Sequence, residues 1–299
     1  MNIFRCLALG FYLFIVGQAL QAEPLLWKVE PADRNAPSAT VYLFGSIHYG
    51  ESGFYPLTET IQQAFDQSTV LAVELNALEL DPVEAASAIK RHGRYRPSKN
   101  LRSELPASDW RKLTLICEKL GVDPNSFSGL KPWLVATQLL GLQIEDEGFS
   151  QSLGVDLHIL GLADKQRIVE LETIEQQLSI LGGLGSRAQT LFLRHALQGY
   201  EENGELLKTM ADSWLKGDEE VLNALIHGSF GEDEDSQRLY REIFVERNLN
   251  MAQAAEGFLA GEEPVFMVVG LGHLLGKDGL VAELQRRNYR VTKLSPIGS

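Results

Sequence analysis

Cysteine is nearly absent: 299 residues contain only Cys6 and Cys117. Cys6 falls in an N-terminal segment that reads as removable. One cysteine then remains, and no internal disulfide can form. Stability must come from a packed core, for which a chain of this length is ample. Basic clusters are missing too. The formal net charge is −13, with 27 Lys and Arg against 40 Asp and Glu, and no Lys/Arg run interrupts that balance. Such a surface repels phosphate backbones, so nucleic acid is excluded as the expected partner. Long apolar runs are lacking beyond the first segment, which excludes a polytopic membrane protein. Hydrophobic residues at 44% and charged residues at 22% describe an ordinary globular chain rather than a disordered one. Several signatures of chemistry are absent as well. There is no His-Glu-x-x-His helix, Gly-x-Ser-x-Gly elbow, phosphate-cradling loop or dinucleotide fingerprint. Gly182-Gly-Leu-Gly185 is too lean for the last and reads as a flexible break.

What is present begins with Arg5, an apolar run from Cys6 to Val16 and small residues up to Ala22. One positive charge, a short apolar stretch and a small-residue boundary describe a secretory signal peptide. We expect cleavage after Ala22 and an exported, periplasmic or secreted protein. Membrane contact is expected only if this segment stays uncleaved. Cleavage removes one basic residue and no acid, so the mature chain is still more acidic. Residues 23–299 read as a single α/β domain with a helical insertion at about 185–260.

Continuous apolar runs predict buried strands at Thr40–Phe44, Thr69–Leu75 and Val265–Val269, with shorter ones near Leu26–Val29, Arg167–Glu172 and Tyr289–Leu294. Helical patterning fills about 80–150 and Arg187–Leu259. Ser108 is expected to cap one helix, Pro132 to open another, and Cys117 to be inert packing. A weak repeat frames the chain. Val41 to His48 and Phe266 to His273 each run a buried strand into Gly-x-x-His and continue into a helix and a strand. The expected architecture is a central mixed sheet built on these pseudo-repeated units.

The two matched histidines, His48 and His273, would lie beyond the carboxyl ends of strands, where α/β sheets bind ligands. Neutral imidazole is a common ligand for Zn, Mn, Fe or Co. Glu74, at the end of a buried run, either joins them or turns outward. Two imidazoles and a carboxylate leave a coordination position for water. Arg247 falls on the apolar stripe Tyr240, Phe244, Met251, Ala254 and Phe258 of a helix expected over Gln237–Leu259. It must snorkel, pair with a carboxylate or stabilise oxyanion charge. Asp156 and His158 are two apart on a helix, so at most one can face a shared site, and Asp156 is preferred. Glu172 is a further candidate at a strand end. His92, His195 and His227 have no partner pattern.

Gly45-Ser-Ile-His-Tyr-Gly50, Glu74, Gly154-Val-Asp156, Leu171-Glu-Thr173, Glu246-Arg-Asn248 and Gly270-Leu-Gly-His-Leu274 occur in this order. Together they resemble the TraB/GumN family, which includes the Tiki proteases. Ser46 stands where that family often has Thr. The resemblance implies a fold related to erythromycin-esterase and ChaN-like proteins, with both Gly-x-x-His histidines and the glutamate in the active centre. It also implies a peptidase favouring Mn or Co, with Zn or Fe compatible with the donors, acting on a peptide or protein substrate.

The expectation is therefore an exported metal-dependent hydrolase with His48, Glu74 and His273 as metal ligands, and Arg247, Asp156 and Glu172 around them. Two alternatives stay open. One is metal-free esterase-like chemistry with His48 as base. The other is a protein that binds a peptide, a metal ion or haem without turnover.

Overall fold

The computed structural model describes residues 25–296 except 34–38, 202 and 229. The expected signal peptide, 1–22, and its cleavage point lie outside the described residues. Among the described residues, no helix is long and apolar enough to cross a membrane.

Six strands form one sheet: β1 (Leu26–Pro31), β2 (Val41–Ser46), β3 (Val70–Val73), β4 (Arg167–Glu170), β5 (Val265–Gly270) and β6 (Tyr289–Lys293). Their order is β4-β3-β5-β2-β1-β6. The first four are mutually parallel, while β1 runs antiparallel to both β2 and β6. The fold is α/β with a mixed sheet. Every residue of β2 and β3 is buried, as is β5 up to Gly270. Such unbroken runs of Val, Leu and Phe suit strands covered on both faces. The edge strand β4 instead exposes Arg167 and Glu170, which discourages further pairing.

The two Gly-x-x-His units start from adjacent strands. β2 leads through the helix Glu59–Asp66 to β3, and β5 leads through Leu280–Arg286 to β6. Each second strand lies parallel to its first, but the two connections run toward opposite edges of the sheet. Ser46 stands opposite Gly270.

Several expected boundaries move. The strands expected over 69–75 and 167–172 end at Val73 and Glu170. Hydrogen bonds continue from Leu171 N–H to the Val73 carbonyl and from Glu172 N–H to the Glu74 carbonyl. There the two glutamates leave the pleat and close on Arg247. Ser108 is not a cap, because its helix begins at Ala107, directly after Pro106. The break expected over Gly182–Gly185 narrows to Leu184 and Gly185, because the helix Ile174–Gly183 takes in the first two glycines and the next helix starts at Ser186. A Cβ at Gly182 would lie 2.7 Å from the His92 Cβ and 2.9 Å from its carbonyl oxygen. That glycine lets two helices touch. The continuous helix expected over Gln237–Leu259 is interrupted by a π-helical turn, Arg241–Val245, between Glu234–Tyr240 and Glu246–Leu259. Such turns recur at functional sites.

Apolar residues gather in two clusters. One surrounds the sheet. The other is mostly helical and includes Leu101, Leu113, Trp133 and Leu193 around Cys117. Burial pushes the Cys117 thiol up to about 11, as expected of inert packing. The helix Asn203–Lys216 is tied to the sheet by Trp214. Its indole N–H donates to the Gly45 carbonyl at 2.9 Å, and its ring packs on Phe54 at 5.2 Å. This contact holds a helical roof over the carboxyl ends of β2 and β5.

Candidate active site

Four neighbouring parallel strands deliver the site. Glu172 follows β4, Glu74 follows β3, His273 follows β5 and His48 follows β2. The crevice outside strand carboxyl ends is where α/β sheets bind ligands. Gly270 is the meeting point. A Cβ there would lie 3.2 Å from Glu74 Oε1, 3.8 Å from His48 Nε2 and 3.8 Å from His273 Cδ2. These ring atoms are therefore within twice 3.8 Å of each other, although the residues are far apart in sequence. A side chain at 270 would crowd Glu74 and touch both imidazoles.

Each imidazole is held through Nδ1. His48 Nδ1 lies 2.8 Å from Asp156 Oδ2, and Ser46 Oγ donates to the other oxygen of that carboxylate. Asp156 sits in the first turn of the helix Val155–Leu162, whose Val155 N–H donates to the Ile47 carbonyl at 2.9 Å. The Asp156 charge and hydrogen bond raise His48 to about 9, against the effect of burial. The His48 ring is nonetheless 66% exposed, because it faces the open cavity and water reaches its free edge. His158 points elsewhere, stacking on Tyr55 at 4.1 Å.

His273 is only 4% exposed, on the short turn Leu271–His273. Its Nδ1 lies 2.7 Å from Asn248 Oδ1, and Asn248 Nδ2 donates to the Asp278 carbonyl at 2.7 Å. The amide oxygen thus faces the ring, so Nδ1 carries the proton and Nε2 keeps a lone pair. Burial lowers His273 to about 4, leaving it neutral near pH 7.

Glu74 and Glu172 share Arg247. Arg247 Nη2 donates to Glu74 Oε2 at 2.5 Å and to Glu172 Oε2 at 2.7 Å, while Nε donates to Glu172 Oε1 at 2.7 Å. Gln177 adds a 3.1 Å bond to Glu172. All three charged side chains are at most 15% exposed. Burial alone would raise Glu74, yet it is lowered to about 2. Arg247, protonated His48 and the Gly270 N–H, 2.6 Å from Oε1, hold it there. Neutral His273 adds charge only below its own titration. Arg247 therefore pairs with carboxylates rather than snorkelling.

Three donors, His48 Nε2, His273 Nε2 and Glu74 Oε1, face the ground around Gly270. Their chemistry suits a divalent cation: two imidazoles fixed through Nδ1 by outer partners, and an ionised carboxylate. Their spacing is wider than that of a closed site. Glu74 Oε1 stands 3.9 Å from His273 Nε2. Among the described residues, no group of three or more His, Cys, Asp or Glu side chains is drawn together as a metal cage.

Above the centre opens a cavity of about 420 Å³. Its polar floor is Ser46, His48, Glu74, Arg247 and His273, and its walls include Leu140, Ile144, Phe149, Leu207, Met210, Ile226 and Phe244. Charged groups sit at the bottom of an apolar well, a common form for a ligand pocket.

The structure thus brings together His48, Glu74, Asp156, Glu172, Arg247 and His273. Other histidines lie apart: His92 pairs with Glu175 at 2.6 Å, His195 is exposed, and His227 packs on Phe244 at 4.7 Å. Sequence reasoning gave no role to Asn248, Ser46 or Gln177. Asn248 left a signal. The buried stripe of its helix is Phe244, Asn248, Met251, Ala252, Ala255 and Leu259, so a polar residue occupies its middle. Buried amides need partners. Ser46 and Gln177 left none that spacing alone reveals.

The family model described as TraB/PrgY/gumN matches residues 25–293. An uncharacterized protein of Treponema pallidum (strain Nichols) is 23% identical over 178 residues, which is 58% of this chain and 51% of the relative. The chain therefore spans about half the length of the curated relative it matches. No solved structure matches. The matched span runs from just before β1 to the end of β6 and contains every residue of the site, so the chain belongs to the TraB/PrgY/gumN family.

Proposed function

We propose that this protein is a hydrolase of peptide bonds that activates water at a centre of His48, Glu74 and His273 loaded with a divalent metal ion. One observation carries the reading. His48 Nε2, the His273 ring and a Glu74 oxygen meet around Gly270, with His273 Nε2 3.9 Å from that oxygen, and each group is backed by its own partner: Asp156, Asn248 and Arg247. Outer partners of this kind fix ring orientation and ligand basicity. A divalent ion held there supplies an acidified water and polarises the scissile carbonyl. Asp156 and Asn248 keep each Nδ1 as a donor, so each Nε2 faces inward; that of His273 offers its lone pair, and that of His48 would give up its proton to bind an ion. Arg247 and the Gly270 N–H keep Glu74 ionised and oriented. A substrate seated against the apolar walls would displace water from the floor and so strengthen the electrostatic contacts there. The N-terminal segment supports action outside the cytoplasm.

The test is metal analysis of protein purified without a His-tag, with turnover of a blocked peptide library before and after chelation. Near-stoichiometric Mn, Co, Fe or Zn is expected, with activity lost on chelation and restored by the ion. His48→Ala and His273→Ala should lose metal and activity while remaining folded. Capture of peptide without turnover would replace the hydrolase with a binding protein.

A metal-free reading has one observation in its favour, the His48–Asp156 pair. His48 acting as base there must first lose the proton that Asp156 holds up to about 9. That reading therefore requires chelator-insensitive turnover that climbs toward pH 9.

A further inference from the structure

The cavity above the centre also bears on what is bound. We infer, on the reading that this centre hydrolyses peptide bonds, that it selects a large apolar side chain beside the bond to be cut, within an internal stretch of chain rather than at a terminus.

The walls come first. Leu140, Ile144, Phe149, Met210, Ile226 and Phe244 enclose about 420 Å³ directly above His48 and His273. An apolar cavity of about 150 Å³ already accepts benzene. The space here takes an aromatic or branched side chain with backbone beside it. Leu140 remains 40% exposed within this lining, apolar surface that an incoming group would cover. A charged side chain entering the well would lose its water and find no compensation on these walls.

Charge comes second. Among the described lining residues, the ionisable groups besides the Tyr49 hydroxyl are His48, Glu74, Arg247 and His273, all within the centre itself. Arg247 is committed to Glu74 and Glu172. Glu74 is committed to Arg247 and the Gly270 N–H. Among the described lining residues, no further charged group stands in the well to clamp a terminal ammonium or carboxylate.

Third, a second space adjoins the first. Tyr49, next to His48, also lines an open groove of about 460 Å³ along the helix Pro132–Asp146, with Thr137, Gln138 and Glu145. A Cβ at Gly141 would stand 2.7 Å from the Tyr49 hydroxyl oxygen. The glycine thus lets Tyr49 lie against the helix between the two spaces. Well and groove thus share Tyr49 as a common wall, and the residues flanking a seated apolar side chain have the groove beside them.

The test uses the full metal-loaded protein and fluorogenic peptides, acetylated and amidated, that differ at one position: Leu, Phe, Ala, Asp or Lys. Leu and Phe should exceed Ala in kcat/KM by about tenfold or more, and Asp and Lys by more still. Matched peptides with free ends should gain nothing. Leu140→Trp and Ile226→Trp, each checked for an unchanged melting profile, should reduce Phe turnover more than Ala turnover. A second arm needs no catalysis: the neutral fluorophore N-phenyl-1-naphthylamine should bind and be displaced by the Leu and Phe peptides but not by the Asp peptide. If no peptide is cut, the hydrolase reading falls and the displacement arm still decides the pocket's preference. Equal rates for Leu and Asp, a requirement for a free terminus, or equal displacement by both peptides would overturn the inference.

Discussion

Replacing Arg247 with leucine removes the only cation that touches both Glu74 and Glu172 among the described contacts. In the native protein that guanidinium makes three bonds of 2.5–2.7 Å to two carboxylates that are 12% and 10% exposed. So little exposure leaves little screening by water. Leucine fills part of the volume but leaves two buried anions facing each other. Breaking a buried pair from one side costs about 3–5 kcal/mol. At roughly 2–4 °C per kcal/mol for a large domain, the melting temperature should fall by about 10 °C. The double variant Arg247→Leu/Glu172→Leu should recover about half of that, because one stranded carboxylate is gone. The pH dependence has a defined sign. Glu74 titrates near 2 in the folded protein against an ordinary 4.5. Its contribution is thus complete above about 4.5 and disappears as pH falls toward 2. Without Arg247, burial raises the Glu74 carboxyl above its ordinary range, so the gap between native and Arg247→Leu protein should be widest at neutral pH and above and narrow as falling pH protonates the stranded carboxyl in the variant. Thermal denaturation at pH 7, 5 and 3 measures it, alongside peptide turnover. A variant that melts with the native protein at pH 7, or a gap that ignores pH, would refute the buried-pair account.

Asn248→Leu strands the His273 Nδ1 proton donor in a buried place, and should lower metal affinity or activity about 10–100-fold with the protein still folded. Retained activity and metal content would show that Asn248 does not set the ring. Cys117, buried with its thiol pushed up to about 11, should resist a disulfide reagent at pH 8 until the chain unfolds. Rapid stoichiometric labelling of native protein would contradict that burial.

Much of the sheet was legible locally. Val41–Phe44 and Val265–Val269 announce buried strands because a strand covered on both faces must be apolar at every position. The glycine and histidine that follow each mark a turn at a strand end. Charge, cysteine count and the ordered motifs likewise needed no coordinates. Boundaries were less legible where long-range partners decided them. Residues 69–75 and 167–172 look like uninterrupted strands, but Glu74 and Glu172 leave the pleat for an arginine 173 and 75 residues away. Gly182 looks like a break until the His92 backbone lies against it. The π turn at Arg241–Val245 is invisible to a 3.6-residue period, yet it immediately precedes Arg247 and Asn248. The sequence by itself determined which residues are apolar, which can titrate and which strand ends carry them, since those follow from composition and short-range spacing. Only the tertiary structure decided that β2 and β5 are neighbours and that Asn248 rather than a carboxylate holds His273 Nδ1. It alone decided that Arg247 serves two glutamates beneath an apolar well. Those outcomes depend on which distant side chains share one small buried volume, and burial makes each unpaired group costly enough to choose its partner.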